Sequence, residues 1–554
     1  MIPAFRWLRG YSGEWLRADV TAGLTAAAVV IPKAMAYAAI AGLPLQVGLY
    51  TAFIPMVIYA FLGTSRSLSV STTTTIAILV GSALREVMPG ADTAGLVAAG
   101  TALAVLVGVM LVVAAVLRLG FIANFISEPV LVGFKAAIAV VITVDQIPKL
   151  LGFHITKTGF LRDLVSIAQH VPQTSLITLG IAVALFVLIV GLERFVPRAP
   201  APLIAIALAI AVSSLLGLAQ AGVETVGSVP GGLPEFTRPA WDLFPRLWPA
   251  AAGIALMSFT ETIAAARAFR SQGEPPLVPN QELFAVGLAN VGGGLFSAMP
   301  AGGGTSQTAV NSRAGARTQV AGLVTAATAL GTLLLLAPVI ALIPQAALAA
   351  VVVAYSVELV KPAEFREIRS VRRSEFRWAA IAVLGVLLLG TLKGIIVAVI
   401  ASLLALAYDA YNPPVYPVGR KRGTNVFRPL SAEHPDDETW PGLLILRTEG
   451  RIFFANAQRV GDRVWSLIDS AGPRVLVIDG RGIVDIEYTA LKMLTEAEEK
   501  LRGDGITLWL AGLNPEVLAM VRKSRLGSVL DRERLFANLE SAVAQYLKRP
   551  RERT

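Results

Sequence analysis

The stretches SLSVSTTTTIAILVGSAL, residues 67–84, and PAGGGTSQTAVNSRAGAR, residues 300–317, decide the fold. Each has the length of a membrane span, yet each opens on hydroxyls or glycines instead of a continuous apolar run. Backbone at membrane depth without apolar side chains survives only where protein or a water-filled cavity surrounds it. Two such segments at corresponding positions in the two halves of a chain are the sequence sign of a repeat transporter.

The rest of the chain supplies the membrane context. Of its 554 residues 55% are hydrophobic and 16% charged, more apolar surface than one water-exposed core can hide. Long apolar stretches recur at 19–40, 96–117, 176–192, 201–219, 319–343 and 379–407, the last long enough for two spans. These predict an α-helical polytopic membrane protein with about fourteen spans, in which 67–84 is the third and 300–317 the tenth. They lie seven spans apart, and an odd number of spans per half makes the repeats inverted, with repeat one at about 19–219 and repeat two at about 247–411. Residues 1–18 read as a cytoplasmic segment without an apolar signal-peptide region.

The net charge of +10 follows the same topology. Arg66, Arg118, Arg194, Arg198, Arg267, Arg270, Arg313, Arg317 and a cluster from Lys361 to Arg377 fall in inner loops, whereas the longer outer loops hold fewer bases, Lys157 among them. The excess of cations therefore reflects orientation in a lipid bilayer, and nucleic acid is not an expected partner. An even span count returns the chain to the cytoplasm, with both termini inside, in what is expected to be a bacterial cytoplasmic (inner) membrane.

Half-helices whose N-termini meet near the midplane present free backbone N–H groups and positive dipole ends to a shared site, which suits an anion. Ser/Thr tracts also pack helices or bond their own preceding carbonyls, but two in register call for more than that. Glu261, in the eighth span, is an ionisable group in hydrocarbon and hence a functional candidate. It can carry a proton as co-substrate or help coordinate Na⁺. Lys33, which follows Pro32 in the first span, is its nearest counterpart in the other repeat, either a structural partner or a cation that offsets anion charge. Lys135 and Asp145 lie nearer the ends of the fifth span and read as interfacial. Enzymatic chemistry is not expected. The chain has three histidines, no cysteine and no phosphate-binding glycine loop, and His154, His170 and His434 lack partners at metal-ligand spacing, so neither cofactor nor metal is expected.

The run DVTAGLTAAAVVIPKAMAYAAIAGLPLQVGLYTAFIPMVIYAFLGTSR, from Asp19 to Arg66, resembles the signature of the sulfate permease (SulP) family of anion transporters, relatives of pendrin and prestin, and residues 289–324 resemble that family's ninth-to-eleventh span region. The resemblance implies a core domain moving against a gate domain, a substrate between the third and tenth spans, and a homodimer. Carried over residue by residue, it places Ala36 and Tyr37 of the first span near the site. The third span adds Ser71, Thr72, Thr73, Thr74 and Thr75, the eighth Glu261, and the tenth Gly304, Thr305, Ser306 and Gln307. Gln is common in the family where this chain has Lys33, and Arg where it has Gln307, which shifts a fixed positive charge from the tenth span to the first.

After residue 410 the composition changes through a Pro-rich stretch, read as a linker over 412–439, to an α/β pattern over 440–554. GLLILRTEG, RIFFANAQ, RVLVIDG and TLWLAG read as strands, with helices near 456–469, 489–503 and 532–547 and a further segment at NPEVLAMVRKS. FFANAQ and VIDGRGIVDIE resemble the sulfate-transporter and anti-sigma-antagonist (STAS) domain. Its bacterial members carry a phosphoacceptor Ser where this chain has Tyr488 and Thr489 after Glu487, so the module is expected to be structural rather than a phosphoswitch. The expected function is alternating-access transport of a small anion, of the dicarboxylate, bicarbonate or sulfate class, with H⁺ or Na⁺. Anion exchange, nucleobase symport on the same fold and a membrane-anchored STAS sensor are the alternatives.

Overall fold

In the computed structural model the described residues are 8, 11–124, 127–155, 160–196, 199–218, 220–227, 231–270, 274, 276–357 and 359–548, with the side chains of 122–124, 391, 392 and 395 excepted. Lys157 and Arg198 of the charge distribution, and the chain ends 1–7 and 549–554, lie outside them. Two compact units divide at Leu403.

The first unit is helical. Its first half runs α1 (Gly13–Ala41), α2 (Leu45–Leu62), α3 (Thr74–Val87), α4 (Thr93–Val116), α5 (Glu128–Leu151), α6 (Phe160–His170), α7 (Leu176–Phe195) and α8 (Ala201–Leu215). The second half runs α9 (Phe244–Ala268), α10 (Pro279–Leu295), α11 (Thr305–Arg313), α12 (Val320–Ile340), α13 (Gln345–Val357), α14 (Pro362–Val371), α15 (Arg373–Leu389) and α16 (Thr391–Tyr411). Eight helical stretches among the described residues are long and apolar enough to cross a membrane. The short α3 and α11 occupy the two polar stretches, and the long apolar run near 379–407 breaks at Gly390, whose φ of 87° favours glycine.

Packing divides these helices into two groups. One is built on contacts of α4 with α9 and α10, of α2 with α10 and α12, and of α1 with α2, α3 and α12. The other is built on α5 with α13 and α15, and on α7 with α13, and α1 also touches α13 between the groups. Small residues permit the close crossings: a Cβ on Gly108 would meet the Gly287 carbonyl oxygen at 2.5 Å, so α4 and α10 approach backbone to backbone.

The second unit carries a six-stranded sheet, formed by β3 (Val415–Arg420), β4 (Phe427–Pro429), β5 (Leu443–Thr448), β7 (Val475–Asp479), β9 (Thr507–Ala511) and β10 (Leu535–Phe536) in the order β10-β9-β7-β5-β3-β4. Helices α17 (Ala457–Ala471), α18 (Tyr488–Gly503), α19 (Pro515–Lys523), α20 (Arg525–Val529) and α21 (Leu539–Lys548) complete it, with a small side pair of β6 (Gly450–Ile452) and β8 (Ile483–Ile486). The strands β5, β7 and β9 run parallel and alternate with helices, as an α/β pattern requires. Three sequence readings are corrected here. The 412–439 segment is not a linker: Val415–Pro417 pairs antiparallel with β5 and Val418–Arg420 with β4, so the domain starts well before 440. The strand expected across RIFFANAQ stops at Ile452, because Asn456 turns the chain by accepting from the Phe453 N–H at 2.9 Å. The last helix begins at Leu539, after β10, rather than near 532.

Candidate functional site: paired half-helices around a polar cavity

Both polar stretches enter the first unit as extended chain and turn helical halfway. Before α3, β1 (Val70–Ser71) pairs antiparallel with β2 (Gly302–Gly303), which precedes α11. The pairing registers Val70 with Gly303 and Ser71 with Gly302, and the Gly304 N–H donates to the Ser69 carbonyl at 3.0 Å. Glycine is needed on the β2 side because a Cβ at Gly303 would sit 2.7 Å from the Thr262 Cα. The crossing is strapped by side chains of the second half. Gln307 Oε1 accepts from the Ser71 hydroxyl at 2.7 Å and the Ser69 hydroxyl at 3.2 Å, while its Nε2 donates to the Thr72 carbonyl. Thr72 returns the bond by donating to the Pro300 carbonyl at 2.5 Å.

This crossing brings the N-termini of α3 and α11 to one place. Thr73 caps α3 by accepting from the Ile76 N–H, and Gly304, which has no side chain, leaves α11 without a side-chain cap. The N–H groups of Thr74, Thr75, Thr305, Ser306 and Gln307 have no acceptor among the described residues. Such groups together with the helix dipoles carry positive partial charge, a setting that suits an anion.

A cavity of about 360 Å³ opens in front of them. Lys33, Tyr37, Thr73, Thr74, Thr75, Glu261, Gly304, Thr305, Ser306 and Gln307 all line it. Ala36, Ser71 and Thr72 are buried and do not line it; Ser71 and Thr72 hold the crossing instead. Lys33 reaches the site from α1, just past Pro32, and is only 3% exposed. Its ammonium donates to the Ser306 hydroxyl at 3.0 Å and lies 3.8 Å from the centre of the Tyr355 ring, which supplies a cation–π contact from α13. Glu261, 7% exposed, accepts from the Thr73 hydroxyl at 2.7 Å. Thr74 donates to the Tyr37 hydroxyl at 3.0 Å, tying α3 to α1.

Several residues at the cavity escape a reading of the sequence. Lys135 lines it rather than resting at an interface, and Glu128, Tyr355, Lys361 and Glu364 line it as well. Lys361 donates to Glu364 at 2.7 Å, an exposed pair three residues apart. Their positions near helix ends hide them, since a charge there reads as interfacial. Asp145 does lie apart, 3.8 Å from Arg85. Two further carboxylates hold the scaffold. Glu282, fully buried in α10, accepts from the Tyr59 hydroxyl and the Thr64 N–H, each at 2.7 Å, and from the Thr64 hydroxyl at 2.5 Å. Asp19 accepts from the Arg317 N–H at 2.6 Å, the Thr318 N–H at 3.0 Å, the Thr318 hydroxyl at 2.6 Å and the Tyr11 hydroxyl at 3.3 Å, joining α1 to the start of α12. Burial and the neighbouring Asp19 carboxylate push the Tyr11 phenol up to about 12, which keeps it a donor. No group of three or more metal-ligating side chains is present among the described residues.

Known proteins are similar to this chain in sequence and in fold. Residues 16–382 match the model of the sulfate permease family and residues 434–542 that of the STAS domain. A probable sulfate transporter of Mycobacterium tuberculosis is 33% identical over 552 residues, covering 99% of this chain and 98% of that protein. Sulfate transporter 4.1, chloroplastic, of Arabidopsis thaliana is 32% identical over 565 residues, covering 98% of this chain and 82% of the relative. Among solved structures, murine solute carrier 26 family member A9, an anion transporter in the inward-facing state, superposes with a TM-score of 0.88 at 20% identity, covering 99% of this chain and 94% of that one. The transmembrane domain of a cyanobacterial bicarbonate transporter matches 71% of this chain and 98% of its own, with a TM-score of 0.59 at 23% identity. The helical fold, the crossing half-helices and the α/β tail thus come together in a multi-pass membrane protein, and the chain belongs to the sulfate permease family.

Proposed function

We propose that the protein is a secondary active transporter of a small anion, sulfate first among the candidates, and that it moves the anion by alternating access together with H⁺. One observation carries the reading: five backbone N–H groups at two opposed helix N-termini, together with the Lys33 ammonium, converge on one cavity. An oxyanion satisfies those donors without a metal, and the low-dielectric surroundings strengthen each bond. The names of the mycobacterial and plant relatives favour sulfate over bicarbonate or a dicarboxylate.

Glu261 supplies the coupling. Its carboxylate shares the cavity with the anion, so like charges oppose each other until one is neutralised, and a proton on Glu261 removes the repulsion. The Thr73 hydroxyl links that event to the first turn of α3. The two helix groups meet through Lys33 and Tyr355, from α1 and α13, which is where a rocking motion would make and break contacts. The basic segment from Lys361 to Arg377 supports a cytoplasmic side for the Lys361 end of the cavity, as the positive-inside rule expects.

The test is uptake of labelled sulfate, bicarbonate, succinate and uracil into proteoliposomes under inward, outward and zero pH gradients. Sulfate uptake that rises with an acidic outside supports the reading. Transport of uracil alone, or of no anion, overturns it.

A further inference from the structure

We propose that the cavity inside the STAS domain is a binding site for a medium-chain carboxylate, its apolar tail between sheet and helices and its head at Lys500. This assignment is independent of the transport reading. The cavity measures about 310 Å³ and lies between one face of the sheet, with Leu446, Leu476 and Leu508, and helices α17 and α18, with Val464, Ile468 and Met493. Protein interiors normally close such space, because voids larger than a water forfeit packing contacts on every side. The lining here is chiefly aliphatic, which suits a slim hydrocarbon chain better than water.

Two polar groups set the cavity apart from a plain hydrocarbon site, and one of them, Lys500, points to an amphiphile. Thr448, at the end of β5, shares the face of Leu446 two residues earlier and lines the cavity. It is 5% exposed and its hydroxyl has no hydrogen-bond partner among the described residues. A buried hydroxyl left unmatched costs stability in the unliganded domain. Lys500, on α18, lines the cavity with its ammonium 4.3 Å from the centre of the Trp465 ring. The other charges there are engaged: Arg447 donates to Asp479 at 2.7 Å, Asp462 accepts from Gln458 at 2.9 Å, and Glu496 lies 3.9 Å from Lys492. Lys500 makes no ion pair among the described residues and is the cation available to an anionic head.

The experiment is native mass spectrometry of the full-length protein with decanoate and, separately, decanol. One saturable decanoate per chain is expected, weakened at least about tenfold by Lys500→Gln. Ala497→Phe, which fills the cavity from α18, should abolish it. Thr448→Val should also raise the melting temperature of the unliganded protein, since it removes an unmatched hydroxyl while keeping the shape, and this readout stands if Ala497→Phe fails to fold. Decanoate binding that ignores Lys500→Gln, equal binding of decanol, or no saturable binding overturns the assignment.

Discussion

The Thr73 hydroxyl donates to Glu261 at 2.7 Å and accepts from the Ile76 N–H at 3.3 Å, so one oxygen joins the Glu261 carboxylate to the cap of α3. Thr73→Val removes both bonds with little change of shape. Loss of the cap should lower stability by ~1 kcal/mol, read in thermal unfolding. The larger effect should fall on transport, where sulfate uptake driven by a pH gradient drops more than sulfate exchange at equal pH. Equal losses in both would place Thr73 in binding alone.

Lys33 is the buried cation beside the α11 terminus. Lys33→Gln keeps a donor for Ser306 but removes the charge, and should raise the KM for sulfate by about tenfold, roughly 1.4 kcal/mol, while Ser306→Ala costs less. Tyr355→Leu should have an intermediate effect through the lost cation–π contact. Initial uptake rates across a concentration series measure all three, and an unchanged KM in Lys33→Gln would remove the lysine from the substrate's surroundings.

The strand crossing depends on the absence of a side chain at Gly303. In Gly303→Ala the new methyl meets the Thr262 Cα at 2.7 Å, a backbone-adjacent atom that cannot swing away. Overpacking of this kind costs ~1–3 kcal/mol, and the displaced crossing should also misplace the α3 and α11 termini. The expected outcome is a lower melting temperature together with loss of sulfate binding. Normal binding in a folded Gly303→Ala protein would show that the crossing tolerates a shift.

Glu282 holds the scaffold rather than the substrate. Glu282→Ala strands the Tyr59 hydroxyl and both Thr64 donors in a buried place, for a loss of ~3 kcal/mol. Thermal unfolding should show the loss, and the protein that remains folded should bind sulfate with near-normal affinity.

The site was legible in the sequence to the extent that polarity at membrane depth is abnormal. The hydroxyls from Ser71 to Thr75 and the glycines at 302–304 stand out against apolar neighbours, and Glu261 stands out as a charge in hydrocarbon. The structure places Thr73, Thr74 and Thr75 on the cavity but turns Ser71 and Thr72 to the strand crossing, because the chain leaves β1 and turns into α3 between Thr72 and Thr74. Tyr355 sits in an ordinary apolar run, and only the tertiary approach of α13 to α1 brings it over Lys33. Glu282 follows a proline and polar residues and reads as a helix start, so its burial depends on Tyr59 and Thr64, over 200 residues away. In the α/β domain the prolines of 412–439 mask strand β3, where Pro417 is tolerated beside Leu446 and its carbonyl accepts from the Leu430 N–H.

Labelled-sulfate uptake by Glu261→Gln in proteoliposomes is the most direct measurement. With a neutral amide in place of the carboxylate, sulfate exchange at equal pH should persist, and an acidic exterior should no longer accelerate uptake. Acceleration by the pH gradient that survives Glu261→Gln undiminished would contradict proton coupling through this cavity.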